Sequence, residues 1–425
     1  ISDDDTGQSD ISLYGNVVDM IATGVTTFGG ADINLQANAL SMKRAVLEAM
    51  SPRGGEGGDI NVGANDLIMN SAGFFTTALT GPGGDINVDV SVMNTKSSSI
   101  EAISYKMANV RSKYQTGDIN ITATDSFIND FVSLAVTSLT SGGAGDLNIN
   151  AGTFVGDGKD WTASTEIWVM AYQGTTGEIN INADTFDAKQ VRMINLANSD
   201  RAGKLTELES ASYGDVTINA QDINLEKFSL STGTQRVKEK TTIGDVKINA
   251  ENEINIGQIL IRDWSGNRSG MGGDLGFTAK NILSRQDPLK MDPLYYPTIE
   301  HTGSVRFQAE ENLELGVLNF VLENERPTRE MINEFSANNI TFGFQTTDQS
   351  VSAASVNFNY ADNADKNHRA VISAENDVRF LPGVNMTTPA LSLSAKNYDV
   401  NNSQITVGAT FGSEIDVMGE MKLRG

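Results

Sequence analysis

Nine acidic residues occupy one position of a phrase that returns along most of the chain: Asp32, Asp59, Asp85, Asp118, Asp146, Glu178, Asp215, Asp245 and Asp274. On neighbouring turns of a stacked structure they form a column of carboxylates, and like charges about 5 Å apart repel by about 1 kcal/mol per pair in water. Three arrangements relieve that repulsion: raised carboxyl pKa values, divalent cations between neighbours, or side chains turned back onto backbone amides. The third suits the residue type, because Asp after Gly commonly caps a turn by accepting N–H groups. The second makes Asp59, Asp85, Asp118, Asp146, Asp215 and Asp245 a candidate calcium column, since hard cations take clustered oxygens. No other cofactor is implied. Asp3, Asp4 and Asp5 read as a solvated tail.

A second column follows two residues later. Asn61, Asn87, Asn120, Asn148 and Asn180 sit on the face that alternation turns outward, where stacked amides can bond each to the next or stay hydrated. Less monotonous residues lie between the phrases: Trp161 and Trp168 in one insertion, Arg262, Asp263 and Trp264 in another, and Tyr295, Tyr296, Glu300 and His301 in a third. Exposed aromatics with polar neighbours suit a carbohydrate or protein contact, and aromatics folded back to plug a loop are the plainer alternative.

Enzymatic signals are poor. The histidines, His301 and His368, stand outside any His-Glu-x-x-His spacing, no Gly-x-Ser-x-Gly elbow occurs, and the repeated acids are too uniform to mark one site. The chain is therefore read as a non-enzyme.

The elements that must position these residues come from the phrase itself. It reads Ala-Asp-Ile-Asn-Leu at 31–35, Gly-Asp-Ile-Asn-Val at 58–62 and 84–88, Gly-Asp-Ile-Asn-Ile at 117–121, Gly-Asp-Leu-Asn-Ile at 145–149 and Gly-Glu-Ile-Asn-Ile at 177–181. Gly-Asp-Val-Thr-Ile begins at 214, Gly-Asp-Val-Lys-Ile at 244, and looser copies at 273 and 303. Most spacings lie near about 30 residues, the period of a solenoid or propeller. Ile60, Val62 and Ala64 alternate with Asp59, Asn61 and Gly63, the period of a strand with one buried face. Further apolar runs (Leu67 to Met69, then Phe75 to Leu79) add a second and third strand before a Gly-rich corner.

The fold class is therefore all-β, a right-handed parallel β-helix with about three short strands per coil and long corner loops. Propeller blades need four strands, and leucine-rich repeats their own Leu and Asn spacing with a helix. The organisation divides into a start or cap at 1–28, β-helix repeats at 29–322, a helical or loop boundary at 323–337, and further coils or a β-rich cap at 338–425. Long corner loops are expected at 152–176, 199–213, 231–243 and 283–302. About 14 coils at about 4.8 Å each make a body about 70 Å long.

The Gly-Gly-Asp-Ile-Asn-Val phrase, followed by Ala and an alternating Leu, resembles the coil repeat of filamentous-haemagglutinin-type exoproteins of two-partner secretion, over roughly residues 29–310. The resemblance implies a β-helical rod exported through an outer-membrane partner and displayed on, or released from, the cell. That family's secretion domain carries Asn-Pro-Asn motifs, and no Asn-Pro pair occurs here, so an interior or distal shaft segment, or a divergent structural relative, is expected. No functional residue of the family transfers.

Composition agrees with such a role. Thirty-one basic against 54 acidic residues give a net charge of −23, which repels nucleic acid and anionic lipid. Zero Cys excludes disulfide scaffolds and thiolate metal sites. No run is long and apolar enough to span a membrane as a helix, and the opening Ile-Ser-Asp-Asp-Asp lacks signal-peptide character, so the expectation is a processed or internal fragment of a larger chain, with a cytosolic chain lacking its Met as the alternative. The expectation is an extracellular or cell-surface structural and adhesive rod. Its partners would be surface or matrix components, glycans, or a second copy end to end. A self-assembling filament subunit and a tailspike-like glycan-binding or depolymerising protein are the alternatives.

Overall fold

Alternation in the repeated phrase becomes a bent strand. Along Ile60–Asn70, Ile60, Val62 and Ala64 are buried, Asn65 and Asp66 are both exposed, and burial resumes at Leu67 and Met69. Two consecutive exposed residues shift the inward phase by one, which turns the strand through a corner without ending it. The ladder records the same bend: Ala37 pairs with Ala64 and Ala39 with Asp66, while Asn38 and Asn65 are skipped. A second corner at Ser71, in the left-handed region (φ 52°), leads to the shorter strand Gly73–Ala78. Each coil thus has the three faces expected, but the first two belong to one continuous strand.

The computed structural model describes residues 9–424 except 53–54, 80, 106–113, 141, 160–163, 172–173, 198–212, 235–243, 264–272, 285–296, 301–302, 323–330, 344–355, 361–367, 389, 402, 408–413 and 418–420. Among the described residues there are 29 strands and no helix. Each strand runs parallel to its counterpart one coil away, which makes the fold a parallel β-helix. Two compact units arise: Ile1–Ile218 with Ser231–Thr241, and Asn219–Leu230 with Thr242–Gly425.

In the first unit, identical positions of successive coils meet in register. Ile33, Ile60, Ile86, Ile119, Leu147 and Ile179 form one inward column. Past the bend, Leu40, Leu67 and Met93 give way to Phe127, Phe154 and Phe186. Phe154 stacks on Phe186 at 5.1 Å and meets Phe127 edge-on at 5.6 Å, all three fully buried. In parallel ladders like side chains fall on like, so one residue choice is multiplied along the stack.

The phrase's Gly has a steric cause. A Cβ on Gly84 would sit 2.1 Å from the carbonyl oxygen of Gly58, and one on Gly177 would sit 2.1 Å from that of Gly145. The corner backbones approach too closely for any side chain. Inner side chains then tie down the corner carbonyls: Thr76 Oγ1 donates to Gly84 O at 2.8 Å, and Asn195 Nδ2 to Gly177 O and Gly214 O at 3.2 and 3.1 Å.

In the second unit Phe277, Phe307 and Phe335 stack on the first face at 4.6 and 5.7 Å, and Phe342 stacks on Phe380 past the bend at 5.3 Å. Coils continue past residue 337: Met331–Phe342 pairs with His368–Phe380, which pairs in turn with Leu391–Ala395 and Asn397–Asn401. The expected boundary at 323–337 is corrected in its second part. Residues 323–330 lie outside the described residues, but Met331–Phe342 is a strand, because Ile332, Glu334 and Ser336 alternate with buried Asn333, Phe335 and Ala337. The start at 1–28 likewise contains a coil, Ile11–Ile21 and Gly24–Phe28, with Asp10-Ile11-Ser12-Leu13 as an early copy of the phrase.

Candidate functional site

The acidic column is bonded through the backbone of the following coil. The amide of Asp59 donates to Asp32 Oδ1, that of Asp85 to Asp59, that of Asp118 to Asp85, that of Asp146 to Asp118, and that of Glu178 to Asp146, each at 2.8 Å. The series begins with the Asp32 amide on Asp10 at 3.0 Å. In the second unit the Asp274 amide bonds to Asp245 at 2.9 Å, and Lys247 Nζ lies 3.8 Å from the same Asp245 carboxylate. Asp215 supplies its main-chain carbonyl to the Ile179 amide at 3.0 Å.

Burial pushes the Asp59 and Asp118 carboxyls above the ordinary range, and the flanking carboxylates add to the rise against the opposing pull of the bonded amide. Among the described residues no three acidic or histidine side chains converge to hold a metal ion. The six acids of the candidate calcium column stand one per coil, and those whose bonds are described here spend an oxygen on an amide.

The asparagines form a ladder. Asn61 Nδ2 donates to Asn34 Oδ1, Asn87 to Asn61, Asn120 to Asn87 and Asn148 to Asn120, each at 3.0 Å, and Asn180 to Asn148 at 3.1 Å. A second ladder, unforeseen in the sequence, runs from Asn281 through Asn312 to Asn339 at 2.8 and 3.2 Å. It sits just past the bend, where each Asn precedes an apolar residue (Ile282, Leu313, Ile340), and that recurring pair was the available signal.

The start of the first ladder floors a groove of 620 Å³ on the outer face of the first unit. Asn34, Asn61 and Asn87 run along it, Gln36 and Asp89 flank the gap at Gly63, and Tyr14 stands at its end. Tyr14 is 75% exposed. A Cβ on Gly63 would come within 2.4 Å of Gln36 Oε1, so the Gln36 amide lies across the position a side chain would fill. Tyr14 escaped the sequence reading because its coil departs from the phrase. Aligning Asp10-Ile11-Ser12-Leu13-Tyr14 with Asp32-Ile33-Asn34-Leu35-Gln36 shows an aromatic where later coils carry Gln, Gly or Asp.

The contact residues expected in loops fall differently. Trp161, Trp264, Tyr295 and Tyr296 lie outside the described residues. Trp168 is on the strand Thr165–Ala171, not in a loop, with Arg192 5.9 Å above its ring and that arginine 3.5 Å from Glu166. Burial raises the Glu166 carboxyl against the pull of Arg192. Arg262 is also on a strand, Val246–Asp263, and its Nε lies 2.9 Å from Glu300, its register partner. These side chains brace neighbouring coils, and the structure does not gather them into one site.

Compared with protein-family models, curated proteins and solved structures, the chain matches none.

Proposed function

We propose that the chain is a structural and adhesive coil stack of an exported exoprotein, displayed at a cell surface or in an extracellular matrix. The observation that carries this reading is the bonding of successive coils of the first unit by three independent means: ladder, aspartate-to-amide bond and asparagine ladder. Such redundancy suits a body that bears load between two attachment points. Chemistry, by contrast, needs unlike groups brought together. The resemblance of the Gly-Asp-Ile-Asn phrase to haemagglutinin-type repeats supports export, and the absence of Cys suits a chain that crosses a membrane unfolded.

The test is attachment. Beads coated with the folded chain should adhere to cell monolayers or matrix-coated glass more strongly than albumin-coated beads. Adhesion at the albumin level on every surface, with the strand signal intact by circular dichroism, would overturn the reading.

A second reading rests on one feature. Among the described residues the coil of Ile11–Ile21 and Gly24–Phe28 exposes Val17, Ile21 and Phe28 at 62%, 61% and 59%. Apolar side chains exposed together suit contact with a second copy, so a self-assembling filament subunit is the alternative. Filaments of purified chain in electron micrographs would support it, and a monodisperse monomer would remove it.

A further inference from the structure

We propose that the groove beside Tyr14 binds a neutral glycan chain, with the tyrosine ring stacking on a sugar and the asparagine ladder reading its hydroxyls. The proposal deepens the adhesive reading and rests on it for its biological purpose, but not for its chemistry.

The ladder fixes the amides in place. Asn61 uses one N–H on Asn34 and one oxygen lone pair on Asn87, and Asn87 does the same between Asn61 and Asn120. An amide has two N–H groups and two lone pairs, so each keeps one donor and one acceptor directed away from the ladder. A sugar hydroxyl both donates and accepts, which matches that pair. The donors and acceptors recur at about the 4.8 Å spacing of neighbouring strands, close to the length of one ring in an extended glycan, so consecutive rings meet consecutive amides. The ladder asparagines lose little conformational freedom on binding, because bonds within the protein already hold them.

Shape and charge narrow the ligand further. At Gly63 the Gln36 amide takes the place of a side chain and presents a flat polar surface beside Asp89, where later coils carry Thr122, Asn150 and Asn182. Tyr14 offers a flat apolar face in water, the surface on which the C–H side of a pyranose packs. The lining contains one carboxylate, Asp89, and no cation, while the whole chain carries −23. An anionic polysaccharide finds no partner there and is repelled.

The test uses the folded chain against an array of neutral oligosaccharides (glucans, mannans, galactans, chitin fragments) and acidic ones (uronic and sulfated), followed by calorimetry on the best binder. A neutral glycan should bind. Tyr14→Ala should weaken it about tenfold, as loss of one aromatic contact does. Tyr14→Phe should retain it, and Gly63→Gln should weaken it by displacing the Gln36 amide into the groove. Ile128→Ala, on the second face, should leave it unchanged. No binding by a chain that is folded by circular dichroism overturns the proposal, as does binding confined to acidic glycans. Equal affinity in Tyr14→Ala and Gly63→Gln also overturns it. Bead adhesion that persists undiminished in Tyr14→Ala, without glycan binding, removes the groove and leaves the adhesive reading. Tyr14-dependent glycan binding without bead adhesion supports the groove and removes that reading.

Discussion

The amide of Asp85 donates to Oδ1 of Asp59 at 2.8 Å across one coil, and the Asp85 carboxylate takes the amide of Asp118 in turn. The contact joins attraction and repulsion, since each acid satisfies a backbone donor at a close corner while facing two carboxylates of its own sign. Burial compounds the repulsion at Asp59 and Asp118, so the bond holds at the expense of a harder ionisation.

Two substitutions separate these effects. Asp59→Ala strips the Asp85 amide of its acceptor and should destabilise the first unit by about 1–3 kcal/mol. Asp59→Asn keeps an oxygen there and removes a charge, so at neutral pH it should equal or exceed the parent. Chemical denaturation of the three chains measures both. An Asp59→Asn chain as weak as Asp59→Ala would show that charge, not the acceptor, matters.

Stability should peak at mildly acidic pH. Asp59 and Asp118 titrate above their ordinary 3.8 in the folded chain, and Glu101 and Glu166 above 4.5, chiefly through burial. Between the ordinary and raised values the folded state binds more protons than the unfolded one, so stability falls as pH rises through that window. Asp377 titrates below 3.8 because Asn397 and Arg379 bond its ionised form, so its contribution is lost as pH drops beneath the ordinary value. Melting temperature should therefore rise as pH falls through the raised values of these carboxyls towards their ordinary 4.5 and 3.8, and fall again below 3.8 as Asp377 is protonated. The Asp59→Asn, Asp118→Asn double variant should flatten the upper limb only.

Gly84→Ala should be among the most damaging single changes. The added methyl would lie 2.1 Å from a backbone oxygen that cannot move aside, so a loss of more than about 4 kcal/mol or failure to fold is expected. Gly24→Ala, with nothing within 4 Å of its Cβ, should be neutral or stabilise by about 0.5–1 kcal/mol. Parallel expression and thermal melts decide the contrast.

Corners in the left-handed region offer the opposite sign. Arg44 adopts φ 53° while its amide donates to Asn70 O at 2.9 Å. Arg44→Gly removes a steric cost of about 1–2 kcal/mol and loosens the unfolded chain by less, so the melting temperature should rise. A fall would assign the arginine side chain a stabilising role that outweighs its backbone.

Much of this fold is legible in the sequence because the tightest geometric demands are met by few residue types. Only glycine fits opposite the Gly58 carbonyl, and a short acceptor suits the Asp85 amide, so the Gly-Asp phrase survives coil after coil. The left-handed corner is different. Ala22, Arg44, Ser71, Ser97 and Phe131 share a backbone shape and a hydrogen bond to the next coil but no side-chain chemistry, and no motif marks them. The bend is equally silent, since Asn38, Asn65 and Ser91 are required only to be outside. Trp168 and Arg262 were expected in loops because aromatic and charged residues interrupt the phrase there. Pairing with neighbouring strands keeps both in the ladder.

Register also bears on how such a chain changes length. Ile60 sits above Ile33 as Ile86 sits above Ile60, and the same holds for the asparagines and the corner glycines. Excising residues 59–84 would join Gly58 to Asp85, set Ile86 on Ile33 and Asn87 on Asn34, and keep the inward columns, while bringing Lys43 against Lys96 and Glu48 against Glu101 on the outside. Gene duplication or deletion of one whole turn thus leaves the buried columns intact, and a lineage can add or remove turns by adjusting only a few outward-facing pairs.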